Sequence, residues 1–180
     1  MITSLNYITF TLVTKEKIII DLFAEIVIEF NLMTITSTAI NSNGYILEEY
    51  TCDGQNVNPP LTFSEVPAEA KSLVLIMDDP DAPGGTYTHW TLYNMSPATL
   101  QITEHNLPPA AKQGTTSFGR VGYGGPCPPP GNPHHYYFKL YALDTELGLS
   151  EGESLDNLNE AIHGHVIEEA QLVGLYQRAG

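Results

Sequence analysis

From residue 33 onward, apolar and polar side chains mostly alternate with a period of two, which predicts strands rather than helices. Residues 33–40 place Met33, Ile35, Ser37 and Ala39 on one side and Thr34, Thr36, Thr38 and Ile40 on the other, the pattern of a half-exposed strand. Asp53-Gly54 and Asn58-Pro59-Pro60 are turn signals, and Leu61-Thr62-Phe63 is a short strand after them. Residues 72–77 (Ser-Leu-Val-Leu-Ile-Met) are almost continuously apolar, which predicts a central strand covered on both faces. Residues 89–95 predict another strand, with Trp90, Leu92 and Asn94 on one face and His89, Thr91, Tyr93 and Met95 on the other. The alternation is cleanest in residues 136–143. Tyr136, Phe138, Leu140 and Ala142 oppose Tyr137, Lys139, Tyr141 and Leu143 there.

Helical spacing appears only late. Ser154 is a candidate N-cap for a helix that puts Leu155, Leu158 and Ile162 on one face, Gly164 can end it, and residues 165–176 start a further element. The chain has 180 residues, enough for one domain with a sizeable core. The pattern predicts a mostly β protein: an antiparallel β-sandwich built on a large sheet, with one or two C-terminal helices. Residues 33–180 form this domain. Residues 1–32 read as an extension upstream of a start at Met33, weakly docked or disordered and not necessarily native. Asp21, Glu25 and Glu29 interrupt its apolar run four residues apart and would share one face of a helix.

The net charge of −14 changes the list of partners. Nucleic acid and anionic membrane surfaces need a basic face, and seven Lys and Arg do not readily supply one. No apolar run reaches the roughly 18 residues of a membrane-spanning helix. Two cysteines, Cys52 and Cys127, are too few for a disulfide framework; a reduced pair in a cytoplasmic protein is the expectation, with a bond between them the alternative.

Candidate chemistry concentrates in two stretches. Asp79-Pro80-Asp81-Ala82-Pro83 with Thr88-His89-Trp90 follows the central apolar strand, and Gly124-Gly125-Pro126-Cys127-Pro128-Pro129 with His134-His135-Tyr136 precedes the cleanest one. His134 and Tyr136 are two apart on a strand and share a face, with His135 on the other. Two carboxylates, two imidazoles and a phenol brought together can form an anion site, in which imidazole N–H and Tyr136 hydroxyl groups donate to oxygens and an aspartate fixes a histidine tautomer. The same residues can form a two-histidine, one-carboxylate metal site. A histidine–aspartate pair can also serve catalysis, but no Gly-x-Ser-x-Gly elbow supplies a nucleophile.

These two stretches resemble the signature regions of the phosphatidylethanolamine-binding protein family, in its prokaryotic branch similar to Raf kinase inhibitor protein. Tyr50-Thr51-Cys52-Asp53-Gly54 and Leu172-Val173-Gly174-Leu175-Tyr176-Gln177-Arg178 fit that branch as well. The resemblance runs from about Met33 to Arg178. It implies a β-sandwich with a small pocket for phosphate-bearing ligands. Asp79 and Asp81 match the paired acids, His89 the first pocket histidine, and His134 and Tyr136 the second motif. Tyr87 falls near an aromatic wall position, and Gly125 with the Cys127–Pro129 turn matches the pocket loop. His135 stands where the family commonly has arginine, which leaves that arginine's partner in question.

The function expected from this resemblance is non-enzymatic and cofactor-free: binding of a phosphate-like anion or phospholipid headgroup, with a protein target or a second copy as further partners. The alternatives are a kinase or serine protease inhibitor, and a metal-dependent hydrolase using Asp79, His89 and His134. Asp79 paired with His89 is the expected histidine–aspartate contact, with His134 as the alternative. Because a chain of charge −14 repels anions at long range, recognition has to be short-range and hydrogen-bonded, and added salt should relieve the repulsion.

Overall fold

All eight residues of the apolar segment Ser72–Asp79 are buried, so its backbone has to find hydrogen bonds inside a sheet. In the computed structural model, which describes residues 17–21, 25–29, 32–41 and 44–178, this segment is β5. The strands before it are β1 (Lys17–Asp21), β2 (Glu25–Glu29), β3 (Thr34–Thr36) and β4 (Leu61–Ser64). After it come β6 (Tyr87–Met95), β7 (Gln101–Ile102), β8 (Lys112–Gln113), β9 (His134–Leu143), helix α1 (Leu155–Ile162) and β10 (Val166–Tyr176).

β5 is the middle strand of a five-stranded sheet ordered β10-β9-β5-β6-β8, and β3-β4-β7 form a second sheet. All these pairings are antiparallel. The main core lies on the face of β5 that carries Leu73, Leu75 and Met77, where Trp90, Leu92, Phe138 and Leu140 meet Ile35, Leu61, Phe63 and Ile102 of the smaller sheet. Val74 and Ile76 point the other way into a second cluster with Tyr93, Leu143, Leu147, Leu158 and Ile162. Helix α1 supplies two of those residues. Its cap is as the sequence predicts, the Ser154 hydroxyl accepting the Asn157 N–H at 3.2 Å. Removing each of these aliphatic side chains from water stabilises the fold by roughly 1.5–3 kcal/mol, which is why an uninterrupted apolar strand belongs here.

Other expectations need correction. The further element expected over residues 165–176 is a strand: β10 pairs along β9 from Val166 opposite Leu143 to Tyr176 opposite His134. A helix through Asp21, Glu25 and Glu29 is replaced by an antiparallel pair, with Asp21 opposite Glu25 and Lys17 opposite Glu29. Residues 1–32 and 33–180 are separate compact units; residues 1–16, the first half of the expected extension, lie outside the described residues. The strand expected over 33–40 is only three residues long. No helix among the described residues is long and apolar enough to cross a membrane.

The expected alternation along β6 breaks twice. Leu73 and Leu75 pair with Met95 and Leu92, so β6 carries one residue too many between them. Asn94 absorbs the excess with a left-handed backbone, φ 56°, and Met95 joins Leu92 on the main-core face instead of opposing it. The Asn94 side chain turns to the 147 segment, where its Nδ2 donates to the Leu147 carbonyl (2.7 Å) and its Oδ1 accepts the Leu147 N–H (2.8 Å). The second irregularity lies at His89: Met77 pairs with Trp90 but Asp78 with Thr88. Bulges re-aim side chains in this way.

Asn94 tests the first bulge. Asn94→Ala loses two hydrogen bonds and puts a Cβ-bearing residue without a local polar partner at positive φ, a cost of about 2–4 kcal/mol. Asn94→Gly keeps the backbone and should recover about 1 kcal/mol of that. Urea unfolding of the two variants should rank them wild type, Gly, Ala; equal midpoints for wild type and Ala would contradict the account.

Candidate functional site

The candidate residues meet where the C-terminal end of β5 lies between the first residues of β6 and β9. β9 keeps strict alternation at its start, His134 buried, His135 exposed and Tyr136 buried, so His134 and Tyr136 share the core face as expected. Asp79, at the end of β5, has the same parity as Met77 and lies opposite Tyr87. The bulge turns His89 to this same side. Its ring centroid is 5.2 Å from that of Tyr136 and 5.3 Å from that of Tyr87. Simple alternation would have pointed His89 away from Trp90, and nothing in the sequence announces the extra residue.

Asp79 is only 3% exposed, and a buried carboxylate is costly unless several donors reach it. It has two. Oδ2 accepts His134 Nδ1–H at 2.8 Å, and Oδ1 accepts the Asp81 backbone N–H at 2.8 Å. The expected Asp79–His89 pair is therefore corrected to Asp79–His134. His89 has a different partner because the bulge places its Nδ1 2.7 Å from the Gly124 carbonyl oxygen, while the Gly124 N–H donates to the His89 carbonyl at 2.9 Å.

Both contacts fix a tautomer. A carbonyl or a carboxylate oxygen can only accept, so the proton of each neutral ring sits on Nδ1 and Nε2 carries a lone pair. Burial lowers the pKa of His89 from its ordinary value of 6.5, and the Gly124 carbonyl and the Asp79 charge only partly oppose this. The neutral imidazole is its resting form at pH 7. Tyr136 behaves in the opposite sense. Burial, then the nearby Asp79 charge, push its pKa far up, so it stays a phenol and a donor. Its hydroxyl is buried with no hydrogen-bond partner at proper geometry, although Asp79 and the Cys127 backbone lie near enough to perturb it.

The pocket loop is fastened from behind. Cys52 and Cys127 form a disulfide with Cα atoms 5.4 Å apart, which corrects the expectation of a reduced pair; the fold brings two distant segments together in a way no spacing reveals. The Cys52 N–H donates to the Pro126 carbonyl (3.0 Å), the Gly125 N–H to Asn56 Oδ1 (2.7 Å), and the Tyr123 hydroxyl to the Tyr50 carbonyl (2.6 Å). A Cβ on Gly125 would come within 2.5 Å of the Tyr50 carbonyl oxygen and 2.9 Å of Thr51 Cα, and one on Gly124 within 2.2 Å of the Phe118 ring. Only glycines let the loop approach this closely.

Two predicted residues stand apart. Asp81 faces the opposite side, accepting both the His135 backbone N–H (2.8 Å) and Nδ1–H (2.7 Å), and these bonds hold its carboxyl below the ordinary range. It reaches the cluster only through its own N–H to Asp79. His135 thus takes a carboxylate partner in the position where arginine is common. Pro129 is exposed beyond Cys127. Sequence reasoning missed Phe118, whose ring packs edge-on against Tyr87 (4.9 Å) and His89 (5.3 Å). An aromatic in a Gly-rich loop gave no periodic signal. Among the described residues, no group of three or more His, Cys, Asp or Glu is arranged to hold a metal ion.

This arrangement can be set beside known proteins. The UPF0098 protein of Methanothermobacter thermautotrophicus is 48% identical over 151 residues, covering 81% of this chain and 99% of that one. The crystal structure of CT736 from Chlamydia trachomatis, described as a homologue of phosphatidylethanolamine-binding protein, matches with TM-score 0.78 and 44% identity over 83% of this chain and 99% of that one. E. coli YbcL, described as a member of the mammalian PEBP family, matches with TM-score 0.76 and 32% identity over 82% of this chain and 99% of that one. The family model for phosphatidylethanolamine-binding protein covers residues 36–177. With nearly the whole described domain matched in sequence and in fold, the chain belongs to the phosphatidylethanolamine-binding protein family.

Proposed function

We propose that this chain is a non-enzymatic binding protein whose pocket, formed by Asp79, His89, His134 and Tyr136 and walled by Tyr87, Gly125 and Cys127, takes a phosphate-like anion or a phospholipid headgroup. The observation that carries this reading is the buried Tyr136 hydroxyl without a partner. Leaving such a group unsatisfied costs about 1–3 kcal/mol, and an oxyanion beside it would accept its proton. The likeness to CT736 and YbcL, both described as relatives of phosphatidylethanolamine-binding protein, supports the same class of ligand.

The tautomers refine how the anion is held. With its Nδ1 proton committed to the Gly124 carbonyl, the neutral His89 ring offers a lone pair to the pocket, and lone pairs repel an anion. One proton must arrive with the ligand, either on a histidine Nε2 or on the anion itself. Binding is thereby coupled to proton uptake, and the buried Asp79 charge favours the same proton. A protein target, whether kinase, protease or other, would meet the loop surface around the occupied pocket. The cytoplasmic expectation rested on reduced cysteines, and the Cys52–Cys127 bond suits an oxidising compartment instead.

Sulfate separates these terms because it carries no titrating proton near neutrality. Its affinity, followed by calorimetry, should fall with rising pH at up to about tenfold per unit above pH 6.5. Tyr136→Phe should weaken sulfate by roughly five- to tenfold and leave thermal stability unchanged or raised, since a dry unsatisfied hydroxyl is removed. Undiminished sulfate affinity in that variant, or no measurable binding to the wild type at pH 5.5, would sink the reading.

The free protein should respond to pH in the opposite sense. Unfolded His89 takes up a proton near 6.5, whereas the folded ring does so only at lower pH. The unfolded state then binds more protons, so stability is lost as pH falls below 6.5 toward the folded pKa. Melting temperatures between pH 7.5 and 5.5 should drop more for wild type than for His89→Asn; parallel curves would show that His89 is not the group responsible.

A further inference from the structure

Beside the histidine cluster lies a cleft of about 410 Å³ lined by Cys52, Asn56, Phe118, Arg120, Gly125 and Cys127. That volume suits a small organic molecule rather than a bare oxyanion. The cleft and the pocket share Gly125, and the Phe118 ring joins them: its centroid is 5.3 Å from the His89 ring, and the Arg120 guanidinium stands 5.5 Å from it. One aromatic ring therefore separates the anion pocket from a cation.

Arg120 is notable for what it does not do. In a chain of charge −14, Lys139 and Arg178 are each tied to a carboxylate. The Arg120 side chain makes no ion pair or hydrogen bond among the described residues, and its guanidinium stands over the Phe118 ring. Its planar fork of N–H donors is left to the cleft. The rest of the lining is suited to a flat apolar body: the Phe118 ring, 37% exposed, and the disulfide. Asn56 spends its Oδ1 on the Gly125 N–H, which leaves its Nδ2 as a further donor.

Resting on the anion-pocket reading above, we propose that Arg120 and Phe118 form a second subsite, and that the ligand class is a phosphomonoester carrying one ring-sized apolar body and a second anionic group on its far side. The phosphate would lie against Tyr136 and the histidines, the ring against Phe118 and the disulfide, and the second anion on Arg120. Bidentate contact with the guanidinium gives this end its geometry. Charge makes the selectivity unusual. On so acidic a protein an extra negative group should weaken binding by repulsion, and only a local unpaired cation reverses that sign.

The test compares inorganic phosphate, phenyl phosphate and 4-carboxyphenyl phosphate at pH 6.0, on wild type and on Arg120→Gln, an exposed substitution that should leave the fold intact. In wild type the carboxylated ester should bind about fivefold tighter than phenyl phosphate. In Arg120→Gln the order should invert, with inorganic phosphate shifting by less than about twofold. Equal affinities of the two esters for wild type, or an equal weakening of all three probes by the substitution, would overturn the subsite. If the carboxylated ester binds through Arg120 but is not displaced by inorganic phosphate, the subsite stands and the phosphate pocket falls. Absence of binding by all three overturns both.

Discussion

The site depends on the burial of one charge. Asp79 closes the central strand of the sheet at a position with almost no access to water, and a carboxylate survives there only by collecting donors. It takes one from His134 and one from the turn that follows it. The first of these fixes the His134 ring, the second fixes the path of the 79–81 turn, and that turn in turn offers Asp81 to His135. The strand end, the next turn and the start of β9 are joined by this one ionised group.

The second support is the fastening of the 123–127 segment. His89 and Gly124 exchange two hydrogen bonds, and the 50–56 turn holds the other side of the segment through three hydrogen bonds and a disulfide. Because both histidines use Nδ1 on the protein, only their Nε2 atoms and the Tyr136 hydroxyl are left for a ligand. For an anion to bind beside the buried Asp79, as proposed above, a proton that accompanies the ligand offsets the repulsion.

Much of the fold could be read from period-two alternation. β9 alternates without error, β5 is apolar from Leu73 to Met77 because it is covered on both faces, and Ser154 caps the helix where expected. The failures share a cause: the missing information was tertiary. β10 is a half-exposed edge strand whose Glu168-Glu169 pair breaks the alternation, so its pairing with β9 was not visible. The two β6 bulges shift parity by one residue each, and the second decides which histidine meets Asp79. Asp79, His89, His134 and Tyr136 were legible from the two motifs, whereas Phe118 was not, Asp81 faces away, and the wiring was hidden. Cys52 and Cys127, likewise, are neighbours only once the loop is folded against the turn.

The proposal turns on His89, whose buried ring is neutral and carries its proton on Nδ1 until an anion brings another. Long-range proton–nitrogen correlation spectra of the imidazoles report this directly, ring by ring. At pH 7.5 without ligand, His89 should show one protonated nitrogen, Nδ1, and saturation with sulfate should protonate its Nε2. A free protein with Nε2 protonated and Nδ1 bare, or rings unchanged at sulfate saturation, would contradict the account.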